Sequence, residues 1–323
     1  MAFTQERKVA ANGLEFFVAE AGEPGKPLVL CLHGFPECWA SWRYQLPVLA
    51  QSGYYAVAPD LRGYGFTGGP KEVAAYRNSQ LVEDVMGLID ALGYDSAILV
   101  AHDWGCGLAW QVARRYPERI NALVGMSVPY GGPAPVAPTE AMRKLFQGGF
   151  FYMLYFQQPA VPEAELEQDV TRSLKLVFHS LSAEGIQEYR PAPDNTAFLQ
   201  GMPEPEEQPR WMRDEDLAYY VERFEHSGFT GPINWYRAMD LSWEEERDDD
   251  NWQIPVPTLF LGGMQDPVIQ FGQKALQRMP DYVPDLRTVL IDQCGHWIQM
   301  EQAAEVNREI LAFLEEVEGG REQ

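Results

Sequence analysis

The sequence predicts an α/β fold in which a mostly parallel sheet is flanked by helices and carries an inserted helical lid. Three observations carry that prediction. From about Phe16 to Pro129, apolar runs of strand length alternate with helix-patterned stretches. From there to about Trp243 no convincing strand run occurs. Strand-like runs then resume at "TLFLGG" and "RTVLI". The alternation implies βαβ units, because parallel neighbours need a crossover that a helix supplies. Two independent domains in series would leave the late strands unexplained. The expected organisation is a core of residues 1–131 and 249–323, with a lid of residues 132–248 between its two parts.

Each element has its own reason. "LEFFVA", "LVLCL", "YYAVA", "AILVA" and "ALVGMS" are strand-length apolar runs that end at turn residues. Between the later ones, "SQLVEDVMGLIDALG" and "CGLAWQVARRYPERI" repeat their apolar residues at helical spacing. "SVPYGGPAPVAP" is a Gly/Pro-rich linker that ends this pattern. Beyond it, "EAELEQDVTRSLKLVFHSL" and "DEDLAYYVERFEHSG" are expected as lid helices. The acids from Glu244 to Asp250 in "WEEERDDDNWQIPVP" read as a solvated connector back to the core. "AAEVNREILAFLEEVEGG" closes the chain as a helix with Val306, Ile310, Phe313, Leu314 and Val317 on one stripe.

A chain of 323 residues can bury a large core without covalent staples. Its 46% hydrophobic and 22% charged residues are those of a soluble globular protein. Lys and Arg number 25 against 47 Asp and Glu, a net charge of −22. Such a surface repels phosphate backbones and anionic lipid, so no nucleic-acid partner is expected. Cys31, Cys38, Cys106 and Cys294 lie far apart and lack paired metal-ligand spacing. They are expected as reduced, mostly buried thiols, and neither metal nor cofactor is expected. "MAFTQERKVAANG" has no apolar export segment, and "FFYMLYF" is far too short to span a bilayer. A cytoplasmic protein without a membrane span is the expectation.

The stretch "AHDWG", residues 101–105, puts Asp103 between a strand run and a helix, where a nucleophile elbow belongs. That turn is tight enough to demand small residues two before and two after the nucleophile, and here they are Ala101 and Gly105. An acid at such a point also reads as a helix N-cap until partners are found. The partners follow in the order nucleophile, acid, histidine: Asp266 after "TLFLGG", then His296 after "RTVLI". Of the five histidines, His33, His102, His179, His226 and His296, the last alone lies in a loop after a late strand. Asp292 competes as the orienting acid, but it shares the loop of His296, whereas Asp266 ends a separate strand and is preferred. "HGFP" bends the chain after Leu28 to Leu32 and offers the Phe35 N–H. With the N–H of Trp104 it would make an oxyanion hole. His33 and His102 are expected to brace and pack. "PDLRGYGFTGGP" lacks the Gly-Lys-Ser/Thr ending of a phosphate cradle and reads as a structural loop.

The motifs "LHGFPECWASWRYQLPVLA", "DLRGYG", "AHDWG", "YFQQPAVPEAELEQD", "FTGPINWYRAMD" and "CGHWIQM" together resemble the soluble epoxide hydrolases of the α/β-hydrolase fold family. The likeness is to the hydrolase domain of the mammalian members and runs from about Phe16 to Phe313. No counterpart of their N-terminal phosphatase domain is expected. The resemblance implies Asp103 as nucleophile, His296 as water-activating base and Asp266 as its orienting acid. It also implies two lid tyrosines that donate to the epoxide oxygen, Tyr152 in "FFYMLYF" and Tyr236 in "NWYRAMD". Tyr155 lies close to Tyr152, and the match on "YFQQP" favours Tyr152. The implied partners are a small apolar epoxide and water. Aromatic and Met residues around Phe150 to Phe156, with Phe35, Trp104, Trp297 and Met300, are the expected substrate-binding wall or, equally, core packing.

Elementary chemistry agrees with an acid as the nucleophile at this elbow. Attack on a saturated ring carbon needs a small nucleophile already charged at neutral pH, and a carboxylate needs no base to remove its proton. Haloalkane and haloacid dehalogenases share the same acid, base and ester, and Trp104 also matches their halide-binding tryptophan. The tyrosine pair and Phe35 favour epoxide hydrolysis over that alternative. A non-catalytic hydrolase-fold ligand sensor is the alternative of another class, and an intact Asp103, Asp266 and His296 argue against it.

Overall fold

The computed structural model describes residues 4–321. Among the described residues the strands are β1 Gln5–Ala11, β2 Leu14–Ala21, β3 Leu28–Leu32, β4 Tyr55–Pro59, β5 Ala97–His102, β6 Ile120–Met126, β7 Thr258–Gly263 and β8 Leu286–Ile291. They form one sheet in the order β1-β2-β4-β3-β5-β6-β7-β8. β2 pairs antiparallel with both β1 and β4, and every other neighbouring pair is parallel. The crossovers from β3 to β6 carry α1 Leu46–Gln51, α2 Asn78–Ala91 and α3 Asp103–Arg115. β3, β4, β5 and β7 are buried along their whole length, which is why they read as unbroken apolar runs.

Strand order places the site. α1 carries the chain from β3 to β4 on one side, and α2 returns it past β3 to β5 on the other. The direction of winding therefore reverses between β3 and β5, and open parallel sheets hold ligands beyond the carboxyl ends of strands at such a point. Those ends are "HGFP" and "HDWG".

Between β6 and β7 the described chain is helical: α4 Pro138–Phe146, α5 Tyr152–Tyr155, α6 Val161–Leu166, α7 Val170–Ser180, α8 Asp214–Ser227, α9 Thr230–Arg237 and α10 Met239–Glu246. α11 Pro267–Phe271 and α12 Gln273–Tyr282 link β7 to β8, and α13 Ile298–Glu301 and α14 Ala303–Arg321 follow. The inserted helices are seated on the core by polar contacts. Trp39 Nε1 donates to Tyr219 Oη at 2.6 Å, and Ser41 Oγ lies 2.7 Å from Tyr220 Oη. Trp235 Nε1 and Asn234 Nδ2 donate to the carbonyls of Arg62 and Lys71. Among the described residues, no helix is long and apolar enough to cross a membrane.

Three sequence readings need correction. β1 lies upstream of the first expected strand, because its "QERK" half is an exposed, charged sheet edge with no alternation to reveal it. The expected helix from "EAELEQD" into "SLKLVFHSL" is two helices, since Asp169 caps α7 by accepting from Arg172 N at 2.9 Å. Finally, the acids after Trp243 are not all solvated. Glu246 ends α10 buried, accepting from Asn78 Nδ2 at 2.7 Å and Arg115 Nη2 at 2.8 Å, and so ties the returning chain to the elements behind the site. The last helix follows its stripe, with Val306, Ile310, Phe313 and Leu314 all buried. The four cysteines are buried and unpaired.

Candidate active site

β5 ends at His102 and α3 begins at Asp103, which holds a φ of +50°. That left-handed conformation costs a non-glycine residue about 1–3 kcal/mol and persists only where the surroundings enforce it. They do so by crowding. A Cβ on Gly105 would lie 2.2 Å from the Leu32 carbonyl oxygen, and one on Gly34 would lie 2.3 Å from Asp103 Oδ1. The small residues of "AHDWG" and "HGFP" thus let two loops close on one carboxylate.

Phe35 N–H donates to Asp103 Oδ1 at 2.8 Å. Trp104 N–H belongs to the first turn of α3, whose amides have no carbonyl within the helix to bond. Asp103 Oδ2 lies 3.7 Å from His296 Nε2. On the other side of that ring, Nδ1 lies 3.1 Å from Asp266 Oδ2, so the carboxylate holds the proton on Nδ1. Asp266 caps α11 by accepting from Val268 N at 2.8 Å, which fixes the direction of its second oxygen. Asp292 instead accepts from Gln293 N and Gln265 Nε2 and touches no ring nitrogen of His296. Burial opposes a charge on His296. Asp266 and then Asp103 outweigh it and raise the imidazole to about 9.

Above the carboxylate, the tyrosines of α5 and α9 come together. The rings of Tyr152 and Tyr236 lie 5.9 Å apart, centroid to centroid. Tyr236 is edge-on to Trp104 at 4.8 Å, Phe156 at 5.0 Å and Phe35 at 5.4 Å. Tyr155 points elsewhere: its ring meets Phe150, and its hydroxyl bonds Glu165. Burial first, then nearby acidic groups, pushes Tyr152 and Tyr236 well above the ordinary phenol range, so both keep their protons at neutral pH. Trp297 packs against His296 with its indole N–H donating to Phe178 O at 2.8 Å. Met300 lies buried beside this cluster. Its sulfur meets Arg43 Nη1 at 3.1 Å and Tyr220 Oη at 3.5 Å, which places it between the core and α8.

Sequence reasoning missed Glu37. Wholly buried, it accepts from Gly34 N at 2.7 Å, from Gln299 Nε2 at 2.7 Å and from His102 Nδ1 at 2.7 Å. The far nitrogen of His102 donates to the His296 carbonyl at 2.8 Å. Burial alone would raise the Glu37 carboxyl, but His102 more than offsets it and holds the acid at about 2. Glu37 and His102 therefore fasten the Phe35 loop, the Asp103 turn and the His296 loop to one another. His33 braces likewise: Leu61 N–H donates to its Nε2 at 3.0 Å, leaving Nδ1–H for the Gly34 carbonyl. Glu37→Ala would leave three buried donors, on His102, Gly34 and Gln299, without their acceptor. We expect it to cost about 3–5 kcal/mol of unfolding free energy, read from urea melts. A loss under about 1 kcal/mol, the scale of an exposed pair, would refute the buried fastening.

Comparison with known proteins agrees with this geometry. Residues 27–303 match the alpha/beta hydrolase fold family model. Epoxide hydrolase A of Mycobacterium tuberculosis (strain ATCC 25618 / H37Rv) is 41% identical over 315 residues, covering 96% of this chain and 97% of the relative. Bifunctional epoxide hydrolase 2 of Rattus norvegicus is 36% identical over 303 residues, 94% of this chain, and the chain spans 54% of that longer protein. The crystal structure of Epoxide Hydrolase A from Mycobacterium thermoresistibile superposes with a TM-score of 0.92 at 41% identity, covering 97% of this chain and 98% of that one. With the sheet order, the strained turn at Asp103 and these likenesses in agreement, the chain belongs to the α/β hydrolase fold family, among its epoxide hydrolases.

Proposed function

We propose that this epoxide hydrolase works through Asp103, which opens the ring by forming an ester that a water activated by His296 then cleaves to a vicinal diol. One arrangement carries the reading: a carboxylate with one oxygen held at 2.8 Å by Phe35 N–H and the other 3.7 Å from an imidazole, beneath two adjoining protonated phenols. Because Oδ1 is already bonded, Oδ2 is the atom that attacks. The ring C–O bond breaks as the new ester bond forms, and its electron pair moves to the ring oxygen. Tyr152 and Tyr236 bind that oxygen, and one of them protonates it.

The charges then reset the base. While Asp103 is ionised, it helps to keep His296 protonated. Esterification removes that negative charge, and the imidazole proton becomes easier to lose. The proton given up by His296 balances the one lost by the phenol. Neutral His296, held by Asp266, then takes a proton from water as the oxygen adds to the Asp103 carbonyl carbon. The resulting oxyanion is Oδ1, which already accepts from Phe35 N–H, with the Trp104 N–H as its proposed second donor. Collapse frees the diol and returns Asp103 and His296 to their starting charges.

The roles of Phe35 and Trp104 extend to binding, since their rings and Phe156 surround Tyr236 with apolar edges. This supports a small apolar epoxide as substrate. We read residues 132–248 as a lid over a core of residues 1–131 and 249–323, the lid supplying the phenols and the core everything else. Styrene oxide in heavy-oxygen water tests the route in a single turnover with enzyme in excess. The ester route predicts an unlabelled first diol, because its new oxygen comes from Asp103, and labelled carboxylate left on the protein. Label in that first diol would falsify the route.

A further inference from the structure

We propose that the Trp104 side chain positions the proton donor: its indole N–H donates to the Tyr236 hydroxyl oxygen, leaving the phenolic proton free for the epoxide. The proposal rests on the reading of Tyr152 and Tyr236 as the phenols that serve the epoxide oxygen, and deepens it by naming Tyr236 as the one that gives up its proton. The two rings meet edge-on, centroids 4.8 Å apart at 85°. On its other contact, Trp104 meets Trp235 at 6.0 Å, and that indole already spends its own N–H on the Arg62 carbonyl. Tyr236 is otherwise ringed by Phe35, Phe156 and Tyr152.

The need for such a donor follows from what surrounds the phenol. Burial disfavours a phenolate most, and Tyr152, Asp103 and Tyr64 add to the penalty, whereas the Trp104 side chain beside the hydroxyl favours it. During ring opening the Tyr236 O–H bond breaks, its proton goes to the ring oxygen and the phenol oxygen gains charge. A donor already aimed at that oxygen needs no rearrangement when the charge arrives. Trp104 would therefore serve both half-reactions through different atoms. Its indole acts in ester formation, and its backbone N–H acts in ester cleavage.

Those atoms can be separated by mutation. Trp104→Phe keeps a ring and the backbone N–H but removes the indole N–H. Rapid mixing with styrene oxide, acid quenching and intact-protein mass should show ester formation slowed about 10- to 100-fold, the range of one hydrogen bond to a charged oxygen. Ester breakdown should be unchanged. Replacing Trp104 by benzothienylalanine, which swaps the N–H for sulfur at nearly constant shape, should give the same split and guards against a packing defect. In a Tyr236→Phe background, either change should have no further effect on ester formation. Equal slowing in both backgrounds, or equal slowing of both steps, would overturn the proposal. Ester formation unaffected by Tyr236→Phe alone would remove Tyr236 as donor, and the proposal with it.

Discussion

His296→Gln should convert the protein from a catalyst into a trap that stops at the ester. Mixed with styrene oxide, the intact variant should gain the mass of one epoxide and hold it, while steady-state turnover falls by about 10²–10⁴, the usual worth of a general base. The selectivity of the block comes from geometry. On the proposed route, attack needs only Asp103, its turn and the phenols, none of which the substitution removes. Cleavage needs a proton acceptor near the ester, and His296 is the group placed there, 3.7 Å from Oδ2 and oriented by Asp266 at 3.1 Å. Glutamine can fill the space and accept a hydrogen bond, but it cannot take a proton from water near neutral pH. Normal turnover would remove His296 as the base, and loss of turnover with no gain of mass would remove the ester from the pathway.

The same geometry explains which parts of the site could be read from the chain. Asp103 was legible because the elbow imposes a local rule, small residues at 101 and 105, which the crowding of Gly105 against Leu32 makes physical. Asp266 and His296 were legible because parallel strands deliver their ends to one edge in a fixed order. Tyr152 and Tyr236 had no such local rule. They sit on short helices inserted between strands, and only the family resemblance picked them out. Glu37 left no trace at all, since its meaning lies in His102, 65 residues away, and in Gln299, 262 residues away. Glu246 was misread for the same reason: an acid among acids reads as solvated until Asn78 and Arg115 are seen against it. Periodicity reports which face is buried. It does not report which polar groups will meet inside.

Replacing both Tyr152 and Tyr236 by Phe should abolish ring opening while leaving the fold intact. An alkoxide departing from carbon without a proton is a poor leaving group, and each general acid is worth about 10²–10⁴ in rate, so ester formation with styrene oxide should fall by at least about 10³. The fold should survive because the edge-on contacts of Tyr236 with Trp104, Phe156 and Phe35 are made by rings that Phe retains. The single variants should be milder than the pair, since either hydroxyl can still reach a shared oxygen when the rings lie 5.9 Å apart. Thermal unfolding and the ester signal separate the two claims. A melt within a few degrees of the parent, with no ester formed, is the expected result. Ester formation at the parental rate would mean that the ring oxygen leaves without help from either phenol.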